Sequence, residues 1–327
     1  MNIYQHLESF HGLAVRELGD DPRDVAEDAP GDAAWRGAVL SGEDPGNVAW
    51  RVAAAPFDEE KPTFADSFER LLATVDPGSI RALVVGWWGA GWEGQRSDIP
   101  IASITAAADR LTALEAVFVG DIVSEECEIS WIEHGDVTPL LTAFPRLRRL
   151  DVRGGTGLKL APVVHESLET LRFESGGLPA GVVRAVGDSS LPALRHLELW
   201  LGEENYSGDS RPADWARILR GERLPALRHL GLQDSELQDE VAAAVAAAPI
   251  VARLESLDLS MGTLSDTGAE ALLSGQPLTH LRSLDLSHHY LSDAMQQRVR
   301  AALAGVEVDL SDRQDEDDEW RYVAVSE

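Results

Sequence analysis

The sequence predicts an α/β solenoid, a curved stack of strand-and-helix units, and three observations predict it. A short apolar pattern, Leu-x-x-Leu-x-Leu, recurs along the chain. The stretches between copies are rich in Ala, Leu, Glu and Gln, which favour helix. The copies are 21 to 34 residues apart, a spacing that marks a repeat array.

The strongest copies are Leu147-Leu150-Val152, Leu168-Leu171-Phe173, Leu194-Leu197-Leu199, Leu227-Leu230-Leu232, Leu254-Leu257-Leu259 and Leu281-Leu284-Leu286. Weaker ones are Ile80-Leu83-Val85, Leu114-Val117-Val119 and Leu303-Val306-Val308. The last two apolar residues of a copy stand two apart, so on a strand they point the same way while their neighbours face the other side. Segments 239–248, 266–273 and 293–303 read as helices. A helix between successive strands returns the chain to its starting edge, which makes the strands parallel. One unit cannot bury both its strand face and its helix face, so units must stack.

The 27-residue units carrying LSDTGAEALL and LSDAMQQRV resemble ribonuclease-inhibitor-like leucine-rich repeats, whose convex face is helical. The chain as a whole, enriched in Ala, Arg, Gly and Asp, also resembles cytoplasmic leucine-rich repeat proteins of high-GC bacteria. The resemblance covers about residues 80 to 310 and implies a concave parallel sheet used for binding. One departure stands out. Where the pattern carries Asn or Cys at its ninth position, this chain has Ser235, Gly262 and His289, so other groups must satisfy the turn backbone.

The ends of the stack need covering. Residues 1–78 are expected to form an N-terminal cap merging into the array, with strands over 35–40 and 48–53, a helix over 64–72 and a polar loop over 20–32. Repeats fill 79–310. Residues 311–327 are an acidic tail, solvated from Asp312 to Glu319, whose β-prone 320–325 stretch is expected to cover the last repeat.

Charge narrows the choice of partner. Asp and Glu number 56 against 28 Lys and Arg, a net of −28, so the surface repels nucleic acid and anionic membranes and favours a protein with basic surface. The N-terminal residues lack a secretory pattern and no run approaches 18 apolar residues, so a cytoplasmic location is expected. The single cysteine, Cys127, excludes an internal disulfide, and its neighbours Glu125, Glu126 and Glu128 should raise its pKa.

Candidate site residues follow from the repeat register. Three columns should project from the concave face: Ala82, Ala116, Arg149, Thr170, His196, His229, Ser256 and Ser283; then Val84, Phe118, Asp151, Arg172, Glu198, Gly231, Asp258 and Asp285; then Gly86, Gly120, Arg153, Glu174, Trp200, Gln233, Ser260 and Ser287. Arg172 should ladder with Asp151 and Glu198 on neighbouring strands ~4.8 Å away. Arg149, Asp151, Arg153, Arg172, Glu174, Glu198 and Trp200 gather Arg and Trp, the residue types that anchor interfaces. Loops leaving the strands add Trp88, Trp92, Trp131 and Tyr206, which either bind or fold back as plugs.

These residues predict a non-catalytic protein-binding scaffold or recruiting module acting through the concave face and strand-end loops, with no cofactor. Two alternatives remain. One is a peptide or small-ligand binder using the Trp-rich loops. The other is a metal-dependent hydrolase at His196, His229 and Glu198, since two His and a carboxylate suit zinc. No nucleophile-elbow, phosphate-loop or dinucleotide motif is present.

Overall fold

The computed structural model describes residues 3–18, 44–55, 62–91, 94–315 and 320–327. The strand expected over 35–40, the loop over 20–32, Trp92 and the run 316–319 lie outside the described residues. Within them, twelve strands join side by side in chain order into one sheet. β1 (Ser9–Phe10) and β2 (Leu13–Glu17) form an antiparallel hairpin. Every later pairing is parallel, through β3 (Val48–Val52), β4 (Ala82–Val85), β5 (Ala116–Val119), β6 (Arg149–Arg153), β7 (Thr170–Glu174) and β8 (His196–Gly202). The same holds for β9 (His229–Ser235), β10 (Ser256–Asp258), β11 (Ser283–Asp285) and β12 (Glu307–Asp309).

Helices pack on the opposite, convex side. α1 (Phe64–Thr74), α2 (Asp98–Ala106), α3 (Thr138–Ala143), α4 (Ala180–Asp188) and α5 (Pro212–Arg220) are followed by α6 (Gln238–Ala246), α7 (Asp266–Ser274) and α8 (Asp293–Ala302). Between β6 and β7 no α-helix forms, because Arg149 and Thr170 pair only 21 positions apart and the short return stays extended. This is a leucine-rich repeat solenoid with a concave sheet and convex helices.

The alternation sets the core. Leu230, Leu232, Leu257, Leu259, Leu284 and Leu286 are at most 1% exposed, within one cluster that runs the length of the array between sheet and helices. The paired column Glu198, Gly231, Asp258 and Asp285 faces the concave side, in the register read from sequence. Turn backbone is satisfied without an asparagine ladder. The His289 ring accepts the Leu291 N–H at Nδ1 (3.0 Å), which leaves Nε2 to donate to the Leu310 carbonyl (3.2 Å). Ser235 accepts from Leu237 N, and Thr263, beside Gly262, donates to the Glu236 carbonyl at 2.8 Å. The LSD motif explains helix starts. Asp239 of α6 accepts from the backbone N–H and hydroxyl of Ser265, the N-cap of α7, and Asp266 does the same for Ser292 at α8.

The N-terminal end corrects one expectation. The apolar first part of the concave face, Ala49, Ala82, Val84, Ala116 and Phe118, is not open. Phe10 of the β1–β2 hairpin folds over it, meeting Phe118 edge-on at 5.8 Å, because an apolar strip of this size loses free energy while exposed to water.

Candidate concave face and strand-exit rim

In the middle of the sheet the expected charge ladder is present. Arg149 donates to both oxygens of Asp151 (3.0 and 2.7 Å), and Arg172 reaches Asp151 (3.3 Å), Glu174 (3.2 Å) and Glu198. Arg153 donates to Glu174 at 2.9 Å and stacks over the Phe118 ring. Burial alters its meaning. Asp151, Arg153, Glu174 and Trp200 are at most 2% exposed, so they do not project freely from the face as the sequence reading expects. Trp200 is covered because Ile3, near one end of the chain, and Val325, near the other, converge on it with Ile129 and Met261. Arg149, Glu198, His196 and His229 stay partly accessible.

His196 and His229, on adjacent strands, stack with ring centroids 4.1 Å apart and 8° between planes. Their Nε2 atoms lie 2.7 and 3.4 Å from one oxygen of Glu198, and His229 Nδ1 lies 2.7 Å from the Ser256 hydroxyl. Burial disfavours the Glu198 charge, but the hydrogen bonds from His196 and His229 and the Arg172 guanidinium outweigh it and hold the carboxyl well below the usual range. All three residues offer a metal-ligating atom within 4.8 Å of one another. The parallel rings aim their nitrogens side by side at Glu198, whereas tetrahedral ligation requires ring planes that converge on one point.

Beyond the histidines the central column becomes acidic: Asp258, Asp285 and Asp309 stand on successive strands. Each accepts the N–H of the serine two residues on, at 2.8 to 3.0 Å. None is ion-paired with a cation among the described residues. Burial and the neighbouring Asp285 push Asp258 up to about 6.

The loop tryptophans divide. Trp87 and Trp88 are core side chains, and Trp88 packs against the buried His134, whose Nε2 donates to the Arg153 carbonyl at 2.8 Å. Burial pushes His134 down to about 4, so the ring is neutral. Gly154 must lack a side chain here: its φ is +104°, and a Cβ would meet His134 Nε2 and Ile132 at 2.7 Å. Trp131 is 62% exposed. Tyr206 donates its hydroxyl to Glu327. Cys127 is half-buried with its thiol pushed up to about 11 by burial and by Glu128 and Glu126, as its neighbours suggested.

That tyrosine contact belongs to a segment whose reach the sequence understated. Residues 320–327 extend far beyond the last repeat and run back along the rim where strands end. Tyr322 accepts at its carbonyl from His288 Nε2 (3.1 Å) and donates its N–H to the Tyr290 hydroxyl (2.8 Å). Ala324 N–H donates to the Met261 carbonyl (2.7 Å), and Val325 N–H to Asp234 Oδ1 (2.9 Å). The Ser130 hydroxyl donates to the Ser326 carbonyl beside Gly176, where any Cβ would strike that oxygen at 2.4 Å. Asp234, Met261 and His288 all adopt positive φ (55°, 69° and 55°) at strand exits. Their spacing of 27 residues was the overlooked signal of this rail.

At the other end, His6 contacts Asp121 (3.3 Å) and Glu126 (3.5 Å), and Arg51 holds Asp121 at 2.8 Å. Hydrogen bonds to Asp121 and Glu126 raise His6 to about 9.

Comparisons with known proteins agree with this geometry. A leucine-rich repeat family model matches residues 254–273 and 278–294. The chain belongs to the leucine-rich repeat superfamily. Among solved structures, a structural-genomics target from Bacteroides fragilis is 31% identical, with a TM-score of 0.72 over 80% of this chain and 72% of that one. A search of curated proteins finds no match. Domains of this fold generally serve as protein-interaction scaffolds. No helix among the described residues is long and apolar enough to cross a membrane.

Proposed function

We propose that this chain is a non-catalytic protein-binding scaffold that receives a basic segment of a partner in the concave face between His196 and Asp309. The observation that carries this reading is the row Asp258, Asp285 and Asp309. Three carboxylates occupy adjacent strands of a concave groove with no cation paired to them among the described residues, in a chain of net charge −28. Like charges facing each other across strands destabilise a sheet. A cationic partner would relieve that repulsion and be steered in by the field of the whole protein.

The test is affinity capture on the immobilised full chain from the native lysate, with Asp285→Lys and Asp309→Lys alongside. Partners retained by the wild-type chain should be lost from the double variant and released by modest salt. Unchanged capture by a folded double variant would refute the reading.

A second reading keeps His196, Glu198 and His229 as metal ligands, favoured only by their proximity. Metal analysis of the purified protein after dialysis against zinc decides it. Stoichiometric zinc that disappears in His229→Ala would revive the metal-dependent alternative.

A further inference from the structure

The strand-exit rim is built to read an extended backbone. Two consecutive N–H groups of the C-terminal segment are taken up, Ala324 by the Met261 carbonyl and Val325 by Asp234. Val323 is 6% exposed, and Val325 packs with Ile3, Ile129 and Trp200, whereas Trp320 and Tyr322 leave most of their side chains in solvent. The rim thus recognises backbone donors and alternate aliphatic side chains.

The chain's own segment fits that rim incompletely. Asp234 is fully buried, yet among the described residues its Oδ2 has no hydrogen-bond partner and the buried Trp200 indole N–H has no acceptor. The segment also ends by adding a carboxylate, Glu327, to a rim that already holds Glu203, Glu236 and Glu128. Its one cation, Arg321, lies at the far end, 3.9 Å from Asp239. Buried polar groups are normally satisfied, and like charges are normally separated. The orphaned atoms mark a seat the resident segment fills loosely, and the crowded carboxylates point to an occupant with a cation in place of Glu327.

We infer that the rim is a binding groove for an extended peptide of a partner protein, with an aliphatic residue against Trp200 and a Lys or Arg two positions later, and that residues 321–327 occupy it in cis. The aliphatic residue repeats the seat of Val325. The cation sits where Glu327, which takes the Tyr206 hydroxyl, now adds its charge to that of Glu203. This groove is separate from the acidic concave row, so it stands or falls independently of the function proposed above.

The experiment uses the full chain and two labelled eight-residue peptides, the sequence of residues 320–327 and the same peptide with Glu327→Lys. In the chain, Val323→Asp with Val325→Asp loosens the resident segment. Fluorescence anisotropy should show the lysine peptide binding this variant about tenfold more tightly than the native-sequence peptide. Glu203→Gln added to the chain should erase the preference. On the wild-type chain, saturating lysine peptide should speed hydrogen exchange at the amides of Ala324 and Val325 by displacing them. Equal affinity for the two peptides, or exchange at Ala324 and Val325 unchanged by saturating lysine peptide, would overturn the inference. The exchange measurement needs no substitution and decides the matter even where the double variant does not fold.

Discussion

The imidazoles of His196 and His229 lie face to face, 4.1 Å apart, and both are directed at the same oxygen of Glu198, whose other oxygen holds Arg172. One carboxylate therefore organises three side chains from three adjacent strands.

Removing that carboxylate should be costly. Glu198→Ala takes one of three carboxylates from Arg172 and the shared acceptor from His196 and His229, a loss of roughly 1.5–3 kcal/mol, the range for hydrogen bonds to charged groups. Glu198→Ala should show a loss of that order in urea denaturation at neutral pH. The sign with pH follows from the depressed carboxyl. Its contribution is present above the unfolded value of about 4.3 and is lost as pH falls below it, so the two chains should converge in acid. Equal stability at pH 7 would show that the network contributes nothing.

At the neighbouring acidic row the sign reverses. Asp258 is raised to about 6, with burial the largest cause and Asp285 adding to it. Its charge therefore costs stability as pH climbs from about 4 through 6. Asp258→Asn keeps an oxygen for the Ser260 N–H and should gain about 1–2 kcal/mol at pH 7, a gain absent at pH 4. Leu257→Ala, one residue away on the core face, should lose roughly 2–5 kcal/mol throughout. Urea titrations of both variants at the two pH values test the alternation and the charge together.

The contrast between Leu257 and Asp258 also shows why the fold was legible. Period-two alternation and a 27-residue interval are local and survive in the text of the sequence, so register, parallel pairing and helix starts at Asp266 and Asp293 could all be read. Contacts between distant residues could not. Val325 and Asp234 are 91 positions apart and share no pattern: the 27-residue spacing of Asp234, Met261 and His288 marks the rail but not the segment that docks on it. Trp200 was read as exposed because its column faces the concave side. Its cover comes from Ile3 and Val325, at opposite ends of the chain. Trp88 and Trp131, both read as loop aromatics, divided only when the packing of Trp88 on His134 was visible.

The N-terminal anchor should give its own pH signature. His6 is raised to about 9, first by its hydrogen bond to Asp121 and then by Glu126. A raised histidine contributes fully below its unfolded value of about 6.5, and that contribution is lost as pH rises through 9. Wild-type stability should therefore decline between pH 6.5 and 9, and His6→Gln should flatten the decline. Titration of the His6 ring by NMR gives the direct check, and a midpoint near 6.5 would dissolve the contact.

Trp88 and Trp131 supply the sharpest paired test, because each follows one of two adjacent strands, β4 and β5, and the structure gives them opposite fates. Trp88 is 3% exposed in the core, so Trp88→Ala should lose roughly 3–5 kcal/mol, the usual range for truncating a packed aromatic. Trp131 is 62% exposed, so Trp131→Ala should stay within about 0.5 kcal/mol of wild type. Partner capture should show the reverse order. An exposed tryptophan on the rim is the residue type that anchors interfaces, and its loss should cost about 2 kcal/mol of binding, on the order of thirtyfold. Thermal unfolding and capture yield, measured on both variants, separate the two roles. A Trp131→Ala chain that keeps both its stability and its full capture yield would confine binding to the concave row of Asp258, Asp285 and Asp309.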